Sequence, residues 1–344
     1  KKAGLIWIGP DPDVIDLLGD KVTARDTALK YGLPVTPGSP GPIAKKDEAV
    51  AVARECGYPV IIKAASGGGG KGMRIVWKDD DLEENLTIAS NEALANFSDG
   101  TVYIEKYLQN PRHVELQVIA DGKGGVAILG ERDCSVQRNH QKLIEESPSP
   151  GVTPAMRDAM SSGARNLFSS LKYCGAGTIE FLVVGEAFYF MEVNARIQVE
   201  HPVSEFVTGT DLIREQILVC CGQPMTIDPD NVQLSGWSIE ARINALSPGK
   251  VTRLDVPGGP GVRFDSFLYT GATVSPHYDS MVGKLIVHDS DRQKALTKLL
   301  RAIDELKIDG VPVNTETQKK ILSSAIFRSG QFGTGIYAQL EATL

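Results

Sequence analysis

Two glutamates in one short stretch are the side chains best suited to chemistry. The run Thr178 to Val184 is followed by a tight Gly185-Glu186 connection and a second apolar run, Phe188 to Val193. This pattern predicts a β-hairpin. If the hairpin folds symmetrically about Glu186, the predicted pairing places Glu180 directly opposite Glu192.

Facing carboxylates repel each other unless a cation lies between them. Asn194 follows Glu192 by two residues and shares its strand face. Carboxylate and amide oxygens are hard ligands, suited to Mg²⁺ or Mn²⁺ shared with substrate phosphates. A solvent-facing Glu192 is the alternative, but Phe188 and Phe190 are predicted on the same face and argue against it. We therefore predict a divalent-metal site at Glu180, Glu192 and Asn194.

A phosphate-binding loop is indicated by Ser66 to Gly72, which joins two predicted strands and holds four consecutive glycines. Glycine weakens a strand or helix by about 0.5–1 kcal/mol, so its use here is close backbone approach. Exposed N–H groups can wrap phosphate oxygens, with Lys71 and Arg74 adding charge. The loop matches neither a Walker A nor a Rossmann pattern, and a flexible turn is the alternative. Lys63 ends an apolar strand, where a triphosphate partner and a snorkelling side chain fit equally well.

The segment that follows the hairpin carries Arg196, Gln198 and Glu200 at alternate positions. A guanidinium matches the planar shape of a carboxylate or bicarbonate, and a neighbouring glutamate can act as a base. Taken by itself, a surface Arg–Glu pair of little energetic value is the more ordinary interpretation.

The stretch Glu131 to Lys142 is densely polar, and a solvated loop is its first interpretation. An anion-binding edge formed by Arg138, His140 and Lys142 is the alternative. In the alternating run 112–120, His113 lies on the polar face and is expected to meet solvent.

A third polar stretch places Glu240, Arg242 and Asn244 on one strand face. An ion pair across a sheet is the ordinary interpretation. An anion or oxyanion site is the alternative.

Composition excludes several classes of protein. The 344 residues suggest two or three packed units. A net charge of −7 argues against a nucleic-acid-binding surface. Five cysteines without a CxxC pair argue against a disulfide framework or zinc site and fit a reducing compartment. No apolar run reaches the roughly 18 residues of a membrane span.

The elements that must position these residues follow from periodicity and turn signals. Predicted helices cover 14–31 with a break near Gly19, 43–56, 79–96, 153–172, 210–221, 291–306 and 314–326. Predicted strands cover 5–8, 59–63, 73–76, 101–104, 112–120, 178–184 and 188–193, with further strands and turns in 236–288. Helices mixed with antiparallel hairpins predict an α+β fold.

Several motifs, in order across essentially the whole chain, resemble those of biotin carboxylases. They are Gly67–Arg74, Glu105–Leu108, Asn110–Glu115, Gly130–Ser135, Gln141–Lys142, Met191–Pro202 and Tyr278–Met281. The run from Glu192 to Pro202 is highly specific, whereas the glycine loop alone is not.

The resemblance implies an ATP-grasp fold in which a small lid closes over a larger mixed-sheet body. Residues 1–34 would be the end of an N-terminal subdomain with a linker helix. Residues 35–107 would be the lid with its glycine loop, and 108–344 the body and the C-terminal biotin carboxylase subdomain.

The resemblance also implies site residues. Contacts to ATP are expected from Lys21, Lys63, Gly67, Gly68, Gly69, Gly70, Glu105, Lys106, Leu108, His113, Gln137, His140, Leu182 and Ile336. Two Mg²⁺ or Mn²⁺ ions are expected at Glu180, Glu192 and Asn194. The bicarbonate and biotin site is expected from Lys142, Arg196, Gln198, Val199, Glu200 and Arg242, with Lys142, Arg196, Glu200 and Arg242 as the catalytic set.

The implied reaction is the ATP- and bicarbonate-dependent carboxylation of biotin. Glu200 would deprotonate bicarbonate, which attacks the γ-phosphorus to form carboxyphosphate. This breaks to CO₂ and phosphate, the phosphate takes the biotin N1 proton, and Arg242 stabilises the enolate that captures CO₂. A closed site protects carboxyphosphate from water.

The resemblance implies three partners: a biotin carrier protein or domain, a carboxyltransferase component, and a second copy in a homodimer. No nucleic acid or membrane is expected. The sequence holds no Met-Lys-Met attachment motif, so the carrier is expected elsewhere. A cytoplasmic location is expected, with a mitochondrial or plastid matrix left open.

Two departures from the family pattern stand out. The chain starts at the last strand of the family's N-terminal subdomain, so we expect a piece of a larger protein with an incomplete nucleotide site and dimer contacts. The segment 243–250 is shorter than the family's loop.

Two other functions compete with this one. One is a different ATP-grasp ligase that makes an acyl or carbamoyl phosphate, against which the Arg196–Glu200 segment argues. The other is a nucleotide-binding fragment that is inactive without its N-terminal subdomain.

Overall fold

The computed structural model describes residues 3–43, 46–64 and 73–341, with the side chains of Lys21 and Lys46 outside that description. The chain divides into two compact units, one formed by residues 1–34 and 110–344 and the other by residues 35–109. The three segments implied by the family resemblance stay a prediction.

The described residues form the following helices: α1 Pro12–Gly19, α2 Lys21–Lys30, α3 Lys46–Cys56, α4 Leu82–Phe97, α5 Pro154–Ser170, α6 His201–Thr208, α7 Leu212–Cys220, α8 Arg292–Glu305, α9 Thr315–Ser323, α10 Ala325–Ser329 and α11 Ile336–Leu340. A 3₁₀ turn, Asp79–Asp81, precedes α4.

The strands are β1 Val60–Ala64, β2 Met73–Val76, β3 Val102–Lys106, β4 Arg112–Asp121, β5 Val126–Arg138, β6 Gln141–Ser147, β7 Cys174–Val184, β8 Ala187–Asn194, β9 Trp237–Asn244, β10 Gly249–Lys250, β11 Arg253–Asp255, β12 Val262–Ser266, β13 Thr273–Val274, β14 Met281–Asp289 and β15 Lys307–Asp309.

An antiparallel sheet of eight strands dominates the larger unit, in the order β12-β14-β9-β6-β5-β4-β7-β8. Its central strands are buried on both faces: every residue of β4 from Arg112 to Ala120 is buried, charged ones included. Buried polar groups must be paired to be tolerated, so this sheet requires its polar side chains to satisfy one another.

Helix α8 shows how an apolar stripe builds the core beneath β9 and β14. Asp291 caps its start by accepting a hydrogen bond from the Lys294 backbone N–H at 2.9 Å. Leu296, Leu299 and Ile303 follow at helical spacing and are buried. They pack with β9 and β14 in the largest apolar cluster of the unit.

The smaller unit is a three-stranded antiparallel sheet, ordered β2-β1-β3, with α3 and α4 against it. Val60 and Ile62 of β1 and Ile104 of β3 are fully buried in its apolar core. Lys63 of β1 lies opposite Tyr103 in the register.

Most predicted elements are confirmed, including the helix break at Gly19 and all the strands from 59 onward. The predicted strand Leu5–Ile8 is wrong. These residues form no strand and are 43–74% exposed. Within the described residues no strand pairs with them, and an unpaired apolar segment has no ladder to hold it extended.

The predicted solvated loop at Glu131–Lys142 is also wrong. Residues 131–138 lie in β5 and residues 141–142 open β6, joined by a turn in which Asn139 and His140 have positive φ. Arg132 and Asp133 are buried, because partners on neighbouring strands satisfy them. The polar side chains of this stretch therefore hydrogen-bond to one another inside the protein rather than to solvent.

No helix among the described residues is long and apolar enough to cross a membrane. This agrees with the absence of a long apolar run in the sequence.

Gly177 of β7 offers a test of core packing. A Cβ there would lie 2.8 Å from the Tyr173 hydroxyl and 2.9 Å from the Phe168 ring, both buried. Gly177→Ala is therefore expected to lower the free energy of unfolding by about 1–3 kcal/mol through overpacking. Urea denaturation followed by tryptophan fluorescence measures this.

The control is Gly19→Ala at the end of α1, where an added Cβ meets no atom within 4 Å. Equal stability of the two variants would contradict the packing around Gly177.

Candidate active site

Lys142 gathers three carboxylates inside the large sheet. Its ammonium donates to Glu115 at 2.7 Å, to Glu180 at 3.3 Å and to Glu200. An ammonium carries three N–H groups, so each has a carboxylate partner. Burial acts to lower the pKa of Lys142, but the surrounding anions outweigh it and raise that pKa above its ordinary value.

Glu200 is held by a second cation as well. Arg242 of β9 donates from Nη2 to Glu200 Oε2 at 2.9 Å and from Nε to Glu145 Oε1 of β6 at 2.5 Å. Glu200 is only 2% exposed and occupies the N-cap of α6. Its two oxygens therefore each meet a different cation, Lys142 and Arg242, in a buried site.

The predicted surface Arg–Glu pair at 196–200 is wrong. Arg196 is exposed and donates to Asn194 Oδ1 at 3.2 Å, whereas Glu200 is bound by residues distant in sequence. The ion pair predicted across a sheet at Arg242 is confirmed, with Glu145 on the neighbouring strand as its partner.

Arg132 of β5 is fully buried and its five N–H groups all have acceptors. Nε donates to Glu115 at 2.6 Å, Nη1 to Gln117 and Ser204, and Nη2 to Thr178 and Gln198. A guanidinium that is shielded from water tolerates such burial only when each of its N–H groups donates a hydrogen bond. Arg132 thus fixes the positions of the side chains around the site.

Glu115 and Glu180 are kept ionised by this arrangement. Burial acts to raise the pKa of Glu115, but Arg132 and Lys142 outweigh it and lower that pKa to about 2. For Glu180, burial is likewise outweighed, by His113 and Lys142, so its pKa also falls below the ordinary range. Both carboxylates therefore carry charge at neutral pH.

The hairpin of β7 and β8 brings the predicted metal ligands together. Glu180 pairs directly with Glu192, and Asn194 Nδ2 donates to Glu180 Oε1 at 2.9 Å and to Glu192 Oε1 at 3.2 Å. Two carboxylate oxygens thus converge on one amide group. The donor set is all hard oxygen and fits a divalent cation.

The reason for that pairing differs from the one predicted. Val184 pairs with Ala187, and an irregularity between Glu180 and Phe181 then restores Glu180 opposite Glu192. The bulge also places Phe190 opposite Phe181, on the other face from Glu192. The prediction that Phe188 and Phe190 share the face of Glu192 is therefore wrong, and Glu192 is exposed.

His113 faces this site rather than solvent, so the solvent-facing prediction is wrong. It is 8% exposed, and its Nε2 lies 2.8 Å from Glu180 Oε2. Gln137 Nε2 lies 2.7 Å from His113 Nδ1 and donates to the Cys134 carbonyl at 2.7 Å. With Gln137 as donor to Nδ1, the Nε2 proton points at the carboxylate.

Two further possible ligand sets lie beside the hairpin. Ligand atoms of His113, Glu115 and Glu180 lie within 4.8 Å of one another, as do those of Glu115, Cys134 and Glu200. Lys142 and Arg132 already occupy the Glu115 carboxylate, and burial raises the pKa of the Cys134 thiol well above its usual range.

Gln198 and Val199 complete the segment before α6. Gln198 donates to Glu180 Oε1 at 2.8 Å and accepts from Arg132. The Val199 carbonyl accepts from Lys284 Nζ of β14 at 2.7 Å. Both the side chain of Gln198 and the backbone of Val199 are thus anchored to the sheet.

Three further residues expected to contact the nucleotide differ in how exposed their side chains are. Leu182 is half-buried and pairs with His113 across β7 and β4. His140 is exposed in the β5–β6 turn, and Ile336 is fully buried in the apolar core at the start of α11.

The smaller unit holds its own predicted residues. Lys63 Nζ and Glu105 Oε2 form an ion pair at 2.5 Å on neighbouring strands. Lys106 donates to the carbonyls of Gly57 and Tyr58, and Leu108 is half-buried. Lys63 therefore has an acidic partner within its own sheet.

Five predicted residues cannot be placed in this way. Gly67, Gly68, Gly69 and Gly70 lie outside the described residues, as does the Lys21 side chain.

Sequence reasoning missed Glu115, Arg132 and Glu145 as members of the site, whereas Glu240 was named together with Arg242. The sequence did carry a signal for two of the missed residues: Glu115 shares the polar face of β4 with His113, and Glu145 lies on the strand that pairs with that of Glu240. Charged residues at alternate positions of a strand whose other face is apolar mark such a network.

Two family models match the chain. Residues 20–227 match the carbamoyl-phosphate synthase L chain ATP-binding domain, and residues 240–339 match the biotin carboxylase C-terminal domain. The first spans the hairpin and Lys142, and the second spans Arg242.

The similar curated proteins and solved structures are also biotin carboxylases. The biotin carboxylase of Pseudomonas aeruginosa is 47% identical over 338 residues, 96% of this chain and 75% of that protein. A Campylobacter jejuni biotin carboxylase in complex with β,γ-ATP has a TM-score of 0.91 at 43% identity, covering 98% of this chain and 77% of that one. The biotin carboxylase domain dimer of Hydrogenobacter thermophilus 2-oxoglutarate carboxylase, in complex with MgADP, ADP and bicarbonate, has a TM-score of 0.90 at 38% identity, covering 99% and 77%.

Glu115→Gln tests the buried charges through stability. Glu115 is ionised in the folded state above pH about 2 and in the unfolded state above about 4.3. Its contribution is therefore complete above the unfolded value and is lost as pH falls through the folded one. At pH 7 the substitution is expected to cost about 3–5 kcal/mol, shrinking between pH 4.5 and 2, as urea denaturation would show.

The control is Glu305→Gln, because the Arg301–Glu305 pair is exposed on α8 and little change is expected. A cost for Glu115→Gln that is independent of pH would contradict the charge assignment.

Proposed function

The chain belongs to the biotin carboxylase family, and on that premise we propose how its own side chains perform ATP- and bicarbonate-dependent carboxylation of biotin. The observation that carries the proposal is the position of Glu200, whose two carboxylate oxygens are bound by Lys142 and Arg242 in a buried network. A carboxylate between two cations provides both a proton acceptor and positive charge for an incoming anion.

Bicarbonate is proposed to bind at Lys142, Arg196, Gln198, Val199 and Glu200. The exposed Arg196 guanidinium offers the planar fork that a carboxylate-like anion requires. Glu200 takes the bicarbonate proton, and the resulting anion attacks the γ-phosphorus of ATP to give carboxyphosphate and ADP. The cation Lys142 stays beside the anion and orients it.

Biotin is proposed to react beside Arg242. Carboxyphosphate breaks to CO₂ and phosphate, and the phosphate oxygen takes the N1 proton of biotin. Negative charge then develops on the ureido oxygen, and the Arg242 guanidinium stabilises it. The nucleophilic N1 attacks CO₂ to form carboxybiotin.

Glu180, Glu192 and Asn194 are proposed to hold Mg²⁺, or Mn²⁺, in up to two ions. Support comes from the convergence of both carboxylates on the Asn194 amide, which would rotate to present its oxygen. When bound, the cation offsets the charge of the triphosphate. His113 and Gln198 hold the Glu180 carboxylate from its other sides.

ATP is proposed to contact Lys63, Glu105, Lys106 and Leu108 of the smaller unit, together with Lys21 and Gly67–Gly70. From the larger unit, His113, Gln137, His140, Leu182 and Ile336 are proposed. The proposal rests on family resemblance, supported by a relative of known structure that binds MgADP and bicarbonate.

The two competing functions fare differently. The carbamoyl-phosphate synthase match at residues 20–227 alone is consistent with another ATP-grasp ligase. Residues 240–339, which carry Arg242, match the biotin carboxylase C-terminal domain and favour biotin as acceptor. Measuring ADP release distinguishes an active ligase from an inactive nucleotide-binding fragment.

Members of this family work as parts of biotin-dependent carboxylases. We propose a biotin carrier protein or domain and a carboxyltransferase component as partners, and a homodimer as assembly, supported by the dimeric Hydrogenobacter thermophilus relative. The compartment, with the cytoplasm as the expected one, stays a prediction.

The reaction is tested by measuring ADP release with free biotin, with and without bicarbonate. Wild type is expected to require both. Glu200→Gln, which removes the base, and Arg242→Ala, which removes the enolate charge, are each expected to lower turnover by about 10²–10⁴-fold.

Glu186→Gln, in the exposed turn of the same hairpin, is the control and is expected to keep wild-type turnover. Turnover in Glu200→Gln equal to that of this control would exclude Glu200 as base. Wild-type chain that binds ATP without any turnover would favour the binding fragment.

Glu192→Gln tests the cation site. The side chain is exposed, so folding is expected to be unaffected, while the loss of one anionic ligand raises the Mg²⁺ concentration for half-maximal ADP release at least about tenfold. A Mg²⁺ titration of ADP release measures this. An unchanged Mg²⁺ requirement would remove Glu192 from the ligand set.

A further inference from the structure

A pair of buried glutamates beside Arg242 has more carboxylate oxygens than the neighbouring residues provide hydrogen-bond donors for. Glu145 of β6 and Glu240 of β9 lie directly opposite each other in the sheet, and both are 0% exposed. Within the described part of the chain, Glu145 Oε2 and both carboxylate oxygens of Glu240 have no hydrogen-bond donor. Three orphaned acceptors on two facing acids are costly if both acids are ionised.

The two acids are not equivalent. Burial raises the pKa of Glu145 to about 7, but Glu145 Oε1 accepts a 2.5 Å charge-assisted hydrogen bond from Arg242 Nε, which opposes that rise and favours the ionised form. Glu240 lacks any such contact among the described residues. Burial raises the pKa of Glu240 well above its usual range, and the neighbouring Glu145 raises it further.

The charged groups that act on Glu240 come from its own strand and three neighbouring elements. They are Glu145 from β6, Lys284 from β14, Glu200 at the start of α6, and Arg242 from β9, while Lys142 of β6 acts on the neighbouring Glu145. Lys284 and Arg242 already have oxygen partners, the Val199 carbonyl and the two carboxylates Glu145 and Glu200. An ionised Glu240 would compete for those two cations.

We propose that Glu240 holds a proton while Glu145 stays ionised, so that Glu240 is a positioning residue that leaves Glu145 to anchor Arg242. The hydrogen bonds support this assignment, because of the two acids only Glu145 accepts a hydrogen bond from Arg242 among the described residues. The consequence for the reaction rests on the proposed function of Arg242, whereas the charge state of the pair does not.

Ionisation of Glu240 at alkaline pH would pull Arg242 from Glu145 and Glu200, and Lys284 from the Val199 carbonyl. The site would then lose both the orientation of its enolate-stabilising guanidinium and an anchor of the bicarbonate segment. Glu240 thereby sets an upper pH limit for productive geometry.

Glu240→Gln keeps the shape and the neutral charge of the protonated side chain, and the amide cannot ionise. A buried acid whose folded-state pKa is raised contributes stability that is complete below its unfolded value near 4.3 and is lost as pH rises. Wild type is therefore expected to lose stability with rising pH relative to Glu240→Gln. The melting midpoint of the variant should exceed that of wild type by on the order of 2 °C at pH 9, with a smaller difference at pH 5.

The matched control is Glu131→Gln. Glu131 is also 0% exposed, but Arg157 donates to both of its oxygens at 2.5 and 2.7 Å. Its substitution is expected to lower the melting midpoint at neutral pH. Glu240→Gln behaving like Glu131→Gln would overturn the proposal, because it would mean that the Glu240 carboxylate is ionised and paired.

Infrared spectroscopy reads the charge state without reference to activity. Wild type at pH 7 is expected to show the C=O stretch of a buried protonated carboxylic acid, absent in Glu240→Gln. Its presence in both proteins, or its absence in wild type, would overturn the assignment.

The pH profile of kcat/KM for biotin then tests the link to Arg242. Wild type is expected to fall at alkaline pH, by up to about tenfold per pH unit for one ionisation, while Glu240→Gln stays level. A protonated Glu240 with identical profiles would refute its positioning role and leave the proposed function intact. Loss of turnover at every pH in wild type would instead refute the proposed function.

Discussion

The large sheet depends on one constraint: a fully buried guanidinium must have all its N–H groups accepted. Arg132 meets it with acceptors from β4, β7, α6 and the segment before that helix. Because every acceptor is needed, the relative positions of these elements are restricted. The same restriction positions Glu115, Gln198 and, through them, Lys142 and Glu180.

The consequence is a network in which cations and carboxylates alternate. Arg132 binds Glu115, Glu115 binds Lys142, Lys142 binds Glu200, and Glu200 binds Arg242. Buried ion pairs offset their desolvation only when geometry is good and the remaining lone pairs are satisfied. Removing any member leaves its neighbours buried with one charged partner fewer, so chemical function and stability depend on the same contacts.

The network also explains why the site is pre-organised. Each oxygen of Glu200 has its own cation, and the α6 N-cap fixes its backbone. Side chains held from several directions need little reorganisation when charge develops on a substrate. Arg196 and Glu192 are the exposed members, which suits groups proposed to meet bicarbonate and a cation from solvent.

Local patterns in the sequence determined the elements and the chemical types. Turn signals, helical spacing and strand alternation located most of the helices and strands, although not β5, β6 or α6. Glu180, Glu192 and Asn194 were recognised as oxygen ligands from the predicted hairpin pairing and because residues two apart share a strand face. Tertiary structure alone decided the partners of the other site residues. His113 and Arg132 are buried, and Glu200 contacts Lys142 and Arg242, through residues far apart in the chain. The hairpin register, with its β8 bulge, differs from the symmetric one predicted, although both place Glu180 opposite Glu192. Polarity by itself predicts solvent, and only the arrangement of neighbouring strands reveals whether a charge meets water or another charge.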